Sequence, residues 1–281
     1  MALPFMRILL ATEHSEFDAG AEALAFALAR RGGLPLAAVL PVAGNAEFEA
    51  VAPQAAAIAD AKASARRERL EAAAAAQGLA FDLHTRHGPE PYREIVDEAR
   101  ERAADLIVIR RRGRPGLLAN LLVGEMVSKV LAHAPCSVLV VPRAAKMWTR
   151  SVLVAVDPAA PDRAPVALAA ALAAACTLPL RVVVVIDGQG QVQAEQVLAR
   201  ALTEARGAVP QVAGELLQGK PHQQIIAAAA RHGADLIAVG CHGDEGFARA
   251  WIGGVAQKVI GLADCPVLVH ATPLPAEASS S

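Results

Sequence analysis

The sequence predicts an α/β protein that consists of two tandem, doubly wound parallel sheets of five strands each, related by a pseudo-twofold axis. Two observations carry this prediction: short apolar strands alternate with Ala- and Leu-rich helices, and the pattern occurs twice along the 281 residues. The composition agrees, because 54% of the residues are hydrophobic and only 3% are aromatic, as expected for helices packed on buried parallel strands. Ligands of such sheets bind outside the carboxyl ends of the strands, where the strand order reverses.

The repeat rests on pairs of similar segments. They are 8–13 with 152–157, 105–108 with 235–238, and 133–140 with 262–269. The offset between paired residues falls along the chain from 144 to 130 and then to 129. The second copy is therefore expected to lack a loop and part of a helix between its first and fourth strands.

The first copy alternates strands and helices, which implies parallel pairing through right-handed crossovers. Its expected strands are Arg7–Thr12, Leu36–Val42, Leu79–Thr85, Asp105–Ile109 and Ser137–Val141. Its expected helices are Phe17–Arg31, Gln54–Gln77, Pro91–Arg102 and Gly124–His133.

The second copy repeats these strands. They are expected at Ser151–Val156, Leu180–Ile186, Val212–Leu217, Leu236–Val239 and Pro266–His270. We expect residues 1–143 and 150–272 to form the two domains, with Pro142–Arg150 as the linker between them. The Pro/Ala/Ser-rich residues 273–281 are expected to form a mobile tail.

The overall charge favours no polyanionic partner. The formal net charge is −1, so neither nucleic acid nor an anionic membrane is an expected partner. No apolar run approaches the roughly 20 residues that a membrane span needs, and the N-terminus lacks the pattern of a signal peptide. The scattered cysteines are expected to be reduced, mostly buried thiols of a cytoplasmic protein: Cys136, Cys176, Cys241 and Cys265.

A glycine-rich loop follows the fourth strand of the second copy. It reads Gly240-Cys241-His242-Gly243, and Gly253-Gly254 follows after nine further residues. Glycines let the backbone approach a ligand where a Cβ would clash, and the helix that begins there offers N–H groups to an anion. The loop has the outline of a phosphate site, although the glycines of an ordinary turn give the same pattern.

In its full context this loop resembles the motif of the universal stress protein family, Gly-x2-Gly-x9-Gly-[Ser/Thr]. Gly240, Gly243 and Gly253 match, while Gly254 stands where the family has a hydroxyl. The resemblance extends over nearly the whole chain in two copies. It implies Rossmann-like domains of the adenine nucleotide alpha-hydrolase type that bind ATP or another adenine nucleotide, with or without Mg²⁺, and a regulatory role in the stress response.

The resemblance also implies roles for two residues that end strands. Asp157 stands where the family has an aspartate that contacts the nucleoside, and its carboxylate can accept from a ribose hydroxyl or the adenine amine. The alternative is a cap for the following helix. Val185 stands where the backbone of the family meets the adenine edge, and the alternative is a plain core valine.

The remaining predicted site residues belong to the glycine motif and its surroundings. Gly240 and Gly243 would admit ribose and phosphates, and Gly253 with Gly254 would present N–H groups to the phosphate tail. His242 would donate to a phosphate or remain an exposed loop histidine, and Val239 ends the fourth strand. The missing hydroxyl at Gly254 removes a hydrogen bond worth roughly 1.5–3 kcal/mol, which weakens affinity by about one to two orders of magnitude.

The first copy departs further from the family motif. Arg110 replaces the first glycine, Glu13 the aspartate and Glu125 the hydroxyl, and the loop is one residue longer. At a helix start the Glu125 carboxylate would repel a triphosphate. Nearby arginines either restore the attraction or pair with Glu125 and solvent: Arg110, Arg111, Arg112 and Arg114. We expect a degenerate site in this copy.

Three functions are consistent with these residues. The first is an adenine-nucleotide-binding protein that passes regulation to an unknown protein partner. The second is slow ATP hydrolysis or self-phosphorylation, with Asp157 or His242 assisting, and the third is a protein-interaction module that binds no nucleotide. The resemblance also implies a pseudo-dimer within the chain, because the fifth strands of two domains commonly pair across a dimer interface in the family. Val138–Val141 and Val267–Val269 would form this pair, which would bury two apolar edges. A further homodimer is left open.

Overall fold

The computed structural model describes residues 2–44, 53–111, 124–159, 162–241 and 252–271. Within these ranges, strands and helices alternate in both halves. The first half contains β1 (Ile8–Ala11), α1 (Ala19–Gly32), β2 (Leu36–Ala43), α2 (Pro53–Ala75), β3 (Phe81–Gly88), α3 (Pro91–Glu101), β4 (Leu106–Arg110), α4 (Glu125–His133) and β5 (Ser137–Val141). The second half contains β6 (Val152–Val156), α5 (Ala164–Cys176), β7 (Leu180–Ile186), α6 (Gln191–Arg206), β8 (Val212–Gln218), α7 (Pro221–Arg231), β9 (Leu236–Gly240), α8 (Gly254–Leu262) and β10 (Val267–His270).

The two five-stranded sheets join into one sheet of ten strands, in the order β3-β2-β1-β4-β5-β10-β9-β6-β7-β8. Pairing is parallel within each half, and β5 meets β10 antiparallel. Leu139 lies opposite Leu268, its own counterpart in the repeat, so the pseudo-twofold axis passes through this pair. The predicted fold class and the predicted pairing of the two last strands are confirmed.

The helices cover both faces of the sheet, and each face has its own core. On one face α1, α2, α5 and α6 pack over strand residues such as Leu10 and Val154. On the other face α3, α4, α7 and α8 pack over alternate strand residues such as Leu9 and Leu153. Both cores contain residues from both halves, because successive strand side chains point to opposite faces of one continuous sheet.

Part of the shortening of the second copy lies in its second helix. α2 has 23 residues and α6 has 16. The predicted loss of part of a helix is therefore confirmed.

The expected bounds of the third strand were wrong. Leu79–Thr85 was expected, whereas β3 runs over Phe81–Gly88. Gly78 has a φ of 68°, and the Leu79 N–H donates to the Ala74 carbonyl at 3.2 Å. Leu79 therefore belongs to the turn that closes α2 and not to the strand. Because the residues after Thr85 are polar or charged, the sequence pattern predicted that the strand ends before it does.

The linker 142–150 is packed against the protein. Trp148 is buried in the core of the α1 face. The linker also passes so close to α1 that a Cβ on Gly20 would lie 2.2 Å from the Pro142 carbonyl oxygen. Only glycine fits there without a shift of the backbone.

Arginines of the first half also reach into the second half on each face. Arg31 Nη2 donates to the Ala175 carbonyl in α5 at 3.0 Å. Arg111 Nη1 donates to the carbonyls of Ile260 (3.2 Å), Gly261 (3.4 Å) and Ala263 at the end of α8. These are carbonyls that a helix end leaves without an intrahelical partner, so both contacts cap helices across the junction.

Among the helices that the structure describes, none combines the length and the apolar character that crossing a membrane requires.

Candidate functional site

A cleft of about 420 Å³ opens at the carboxyl ends of the strands in the second half. Its walls come from the ends of β6, β7 and β9 and from the starts of α5, α7 and α8. In the second half the strands lie in the order β10-β9-β6-β7-β8. From β6 the chain first adds strands on one side, β7 and β8, and then on the other side, β9 and β10. The strand order therefore reverses between β6 and β9, and the cleft lies at this point. Both its position and its size are typical of ligand sites in doubly wound proteins.

Most of the predicted site residues meet in this cleft, although they come from distant parts of the sequence. Those that line it are Asp157, Val185, Val239, Gly240, Gly253 and Gly254. His242 and Gly243 lie outside the described residues. Sequence reasoning missed Asp162, Ile225 and Ile252, which also line the cleft. Asp162 could have been found, because it occupies the repeat position of Asp18 at the same offset of 144.

The Asp157 carboxylate faces the cleft and does not cap a helix. Its Oδ1 accepts a hydrogen bond from the Ala159 N–H at 2.8 Å, and the residue is exposed. The cap of α5 is instead formed by Asp162, whose Oδ1 accepts from the Ala164 N–H at 2.9 Å. The alternative interpretation of Asp157 as a cap is thus wrong, and its second carboxylate oxygen bonds to no other described residue.

The backbone of Val185 also points toward the cleft. β6 pairs with β7 only as far as Val156 opposite Val184, whereas β8 follows β7 to Ile186. The Gly219 N–H donates to the Ile186 carbonyl at 2.9 Å, so Ile186 uses its backbone on the β8 side. Successive residues of a parallel strand use opposite sides, and Val185 therefore turns its N–H and C=O toward the open space beyond β6.

The walls near Val185 are apolar. Val183 and Val185 project from the same face of β7, and Ile225 and Ile252 are buried beside them. At the other end α8 begins at Gly254, where an added Cβ would meet no atom within 4 Å. The first N–H groups of a helix have no intrahelical partner, so this end of the cleft offers donors. The cleft thus combines an apolar slot, a carboxylate and a group of N–H donors.

Comparison with known proteins agrees with this geometry. The family model described as the universal stress protein family matches residues 4–142 and again 149–270. The chain belongs to the universal stress protein family. Each half matches the model separately, as the repeat predicts.

Individual relatives support the assignment. Universal stress protein MJ0531 of Methanocaldococcus jannaschii is 44% identical over 59 residues, which are 21% of this chain and 35% of that protein. A universal stress protein of Thermus aquaticus, from the 3′ region of a QAH/OAS sulfhydrylase, is 40% identical over 77 residues, 27% of this chain and 55% of that protein. The matched segments thus span only about a third to a half of these relatives.

Two solved structures share the whole fold. A universal stress protein from Archaeoglobus fulgidus superposes with a TM-score of 0.75 at 19% identity and covers 95% of this chain and 96% of its own. A putative universal stress protein from Pseudomonas aeruginosa has a TM-score of 0.70 at 19% identity, with 96% and 94% covered. At this identity the likeness shows the fold alone.

The first half departs from the universal stress protein motif in three dimensions as well. Arg110 replaces the glycine, and its side chain is 5% exposed. Arg110 Nη2 donates to Glu13 Oε2 at 2.8 Å, and Nη1 donates to Ser15 Oγ at 2.8 Å and Asp18 Oδ2 at 3.2 Å. The carboxylate that corresponds to Asp157 is therefore already bound to a guanidinium of the same chain.

Further polar contacts surround this arginine. Glu22 Oε1 accepts from the Thr12 hydroxyl at 2.7 Å and lies 3.0 Å from His14 Nδ1. The second half has Val166, Val156 and Pro158 at these three places, all at the offset of 144. The first half thus carries a network of polar side chains where the second half carries apolar walls and a cleft.

The expected roles of the first-half arginines need correction. Arg110 does not pair with Glu125, because it is held by Glu13 and Asp18. The Glu125 side chain is 82% exposed and pairs with Lys129 at 3.0 Å. Arg111 caps α8 as described, while Arg112 and Arg114 lie outside the described residues. A bound arginine accounts better for the altered first half than repulsion by Glu125.

The cysteines are free thiols in the described structure. Only Cys136 is fully buried, so the expectation of mostly buried thiols was wrong for the other three, which are partly exposed. Burial raises the pKa of Cys136 to about 12 and that of Cys265 to about 11. Neither thiol forms the thiolate that a nucleophile needs near neutral pH.

A metal centre built from protein side chains is not found in the described ranges, which contain no group of three or more His, Cys, Asp or Glu residues suited to hold an ion.

Proposed function

We propose that the second half of this universal stress protein binds an adenine nucleotide, ATP foremost, in the cleft between β6, β7, β9 and α8. The role that follows is regulatory, with occupancy of the cleft passed on to a protein partner in the stress response. The base lies against Val183 and Val185, and the ribose hydroxyls donate to Asp157. The phosphates extend toward Gly253 and Gly254.

One observation supports this proposal most. Six of the eight predicted site residues, from segments spread over about 100 residues of sequence, line a single cleft. The residues also fit the ligand chemically, because a slot of valines suits a flat base and backbone groups of Val185 suit its polar edge. Gly254 leaves room for a phosphate where a side chain would stand.

The proposal is tested by titrating the purified protein with ATP in a calorimeter. We expect about one ATP per chain. Asp157→Asn should weaken binding roughly tenfold, because it removes an ionised acceptor from the ribose hydroxyls. The matched control is Glu13→Gln at the equivalent place of the first half, where Arg110 already holds the carboxylate, and it should leave the affinity for ATP unchanged.

A gain of affinity provides the second arm. Gly254→Ser restores the hydroxyl of the family motif in open space, and we expect ATP to bind about ten times more tightly. Glu125→Ser places the same residue at the start of α4 and should change neither affinity nor stoichiometry. If the wild-type protein binds no adenine nucleotide, or if Asp157→Asn and Glu13→Gln behave alike, the proposal is wrong.

A further inference from the structure

The two halves carry opposite charges around the helix that closes each site. In the first half these positions are Glu90, Tyr92, Glu125 and Lys129. At the offsets of 130 and 129 the second half has Lys220, His222, Gly254 and Lys258. Two carboxylates and one ammonium group are thus exchanged for two ammonium groups, an imidazole and no carboxylate.

In the first half these side chains converge on one point. Lys129 Nζ lies 3.0 Å from Glu125 Oε1 and 3.4 Å from Glu90 Oε1. It also lies 5.1 Å above the centre of the Tyr92 ring. A lysine one turn into α4 therefore reaches back over the start of its own helix and contacts residues at the start of α3.

The corresponding positions of the second half either line the cleft, as Gly254 does, or lie close in sequence to a residue that lines it. Pro221, which stands between Lys220 and His222, lines the cleft together with Gly254. Lys258 lies one helical turn after Gly254, on the same side of α8. Neither lysine side chain forms an ion pair with a residue that the structure describes.

These cations also act on one another. Burial lowers the pKa of His222, and the neighbouring charges of Lys258 and Lys220 lower it further. The charges of Lys258 and Lys220 thus act on the His222 imidazole, while the carboxylates that line the cleft, Asp157 and Asp162, come from the segment between β6 and α5. Like charges gathered at the mouth of a cleft raise the local concentration of an anion.

We propose that Lys220, His222 and Lys258 form a subsite for the polyphosphate tail, which makes the second half select nucleoside triphosphates over monophosphates and nucleosides. This inference rests on the proposed function, because it requires the phosphates to leave the cleft beside Gly254. Lysine ammonium groups bind phosphate as point charges, and two of them match the charge of a tail better than that of a single phosphate. The first half, with Glu90 and Glu125 at these places, would repel the same tail.

The test compares ATP, AMP and adenosine in calorimetric titrations of the full chain. The variant Lys220→Glu places the first-half residue in the second half, and Lys258→Ala removes the other ammonium group. We expect each to weaken ATP binding about tenfold and to leave adenosine binding within about twofold of the wild type. Lys129→Ala is the matched control, because it removes the equivalent lysine of the first half and should not change ATP binding.

Salt gives an independent readout. Wild-type affinity for ATP should fall steeply with added sodium chloride, and the double variant Lys220→Ala/Lys258→Ala should lose most of that dependence. If all three ligands bind the wild type and the variants alike, the subsite does not exist while the proposed function stands. If the wild type binds neither ATP nor adenosine, the proposed function itself fails, and the subsite with it.

Discussion

The clearest difference between the first-half site and the second-half cleft is at one position, which is Arg110 in the first half and Gly240 in the second. Arg110 fills the first-half position with a guanidinium that binds Glu13 and Asp18, and Gly240 leaves the equivalent position empty of side chain. The carboxylates that remain in the second half, Asp157 and Asp162, line the cleft. The guanidinium of the first half therefore binds carboxylates whose counterparts in the second half line an open cleft.

Removing this arginine should destabilise the protein strongly. Arg110→Ala leaves Asp18, whose side chain is 1% exposed, without its cation, and a broken buried pair costs about 3–5 kcal/mol. Urea denaturation measures the free energy of unfolding. Arg143→Ala is the control, because its pair with Glu16 is exposed at both ends and should contribute less than about 1 kcal/mol. Equal losses in both variants would contradict the assignment of a buried pair.

At this scale the sequence predicted the second half better than the first. The glycine spacing and the residues after each strand are local signals, and they singled out Asp157, Gly253 and Gly254. The direction of Arg110 could not be predicted, because its partner Asp18 lies 92 residues earlier and the two meet only in the folded sheet. The run of arginines after β4 had suggested Glu125 as a partner of Arg110, and this was wrong.

Among the elements, β3 and α3 are joined by a network of charges. The Glu98 carboxylate is 1% exposed and accepts hydrogen bonds from Arg86 Nη1 at 2.8 Å and from Arg102 Nε. His84 Nδ1 lies 3.0 Å from the same carboxylate. β3 is an outer strand of the sheet, and these charged side chains along it disfavour pairing with another molecule.

The network makes stability depend on pH. Burial raises the pKa of Glu98, but the hydrogen bonds from Arg102 and Arg86 outweigh it and leave the pKa below the ordinary value. The unfolded chain then binds the proton more tightly, so the stabilisation is present above the unfolded pKa of about 4.3 and is lost as the pH falls through the folded value.

Glu98→Gln should therefore lower the free energy of unfolding by about 1–3 kcal/mol at pH 7, and the difference from wild type should shrink below about pH 4. Urea denaturation between pH 3 and pH 7 measures it. Glu71→Gln, which breaks an exposed pair with Arg67 on α2, is the control and should show a small loss. A difference that stays constant across this pH range would contradict the argument.

The order and type of the elements could be predicted because apolar runs and breakers alternate regularly along the chain. The bounds of β3 could not, since its alternating charges are typical of exposed loops when read without α3 beside them. Only the folded structure supplies the partners of Arg86 and Glu98.

The pairing of β5 with β10 determines the architecture of the whole molecule. It turns two sheets into one, and both hydrophobic cores continue across it. The resemblance to the universal stress protein family, applied to the last strands of the two copies, predicted this pairing. The caps by Arg31 and Arg111 were not predictable, because each depends on a helix end in the other half.

The second half on its own, residues 144–281, should form a homodimer. Without β5, the apolar edge of β10 with Val267, Leu268 and Val269 loses its partner, and a second copy supplies the same strand antiparallel. Analytical ultracentrifugation measures the mass in solution. A monomeric fragment would contradict the importance of this edge.

In a protein assembled from two separate chains, an interface of this kind dissociates when the sample is diluted. Here Pro142 and Trp148 belong to one short, packed segment that holds both sides together. Each side therefore always meets the other at the same effective concentration, however scarce the molecule becomes in the cell. A protein with this architecture keeps its assembly independent of its abundance.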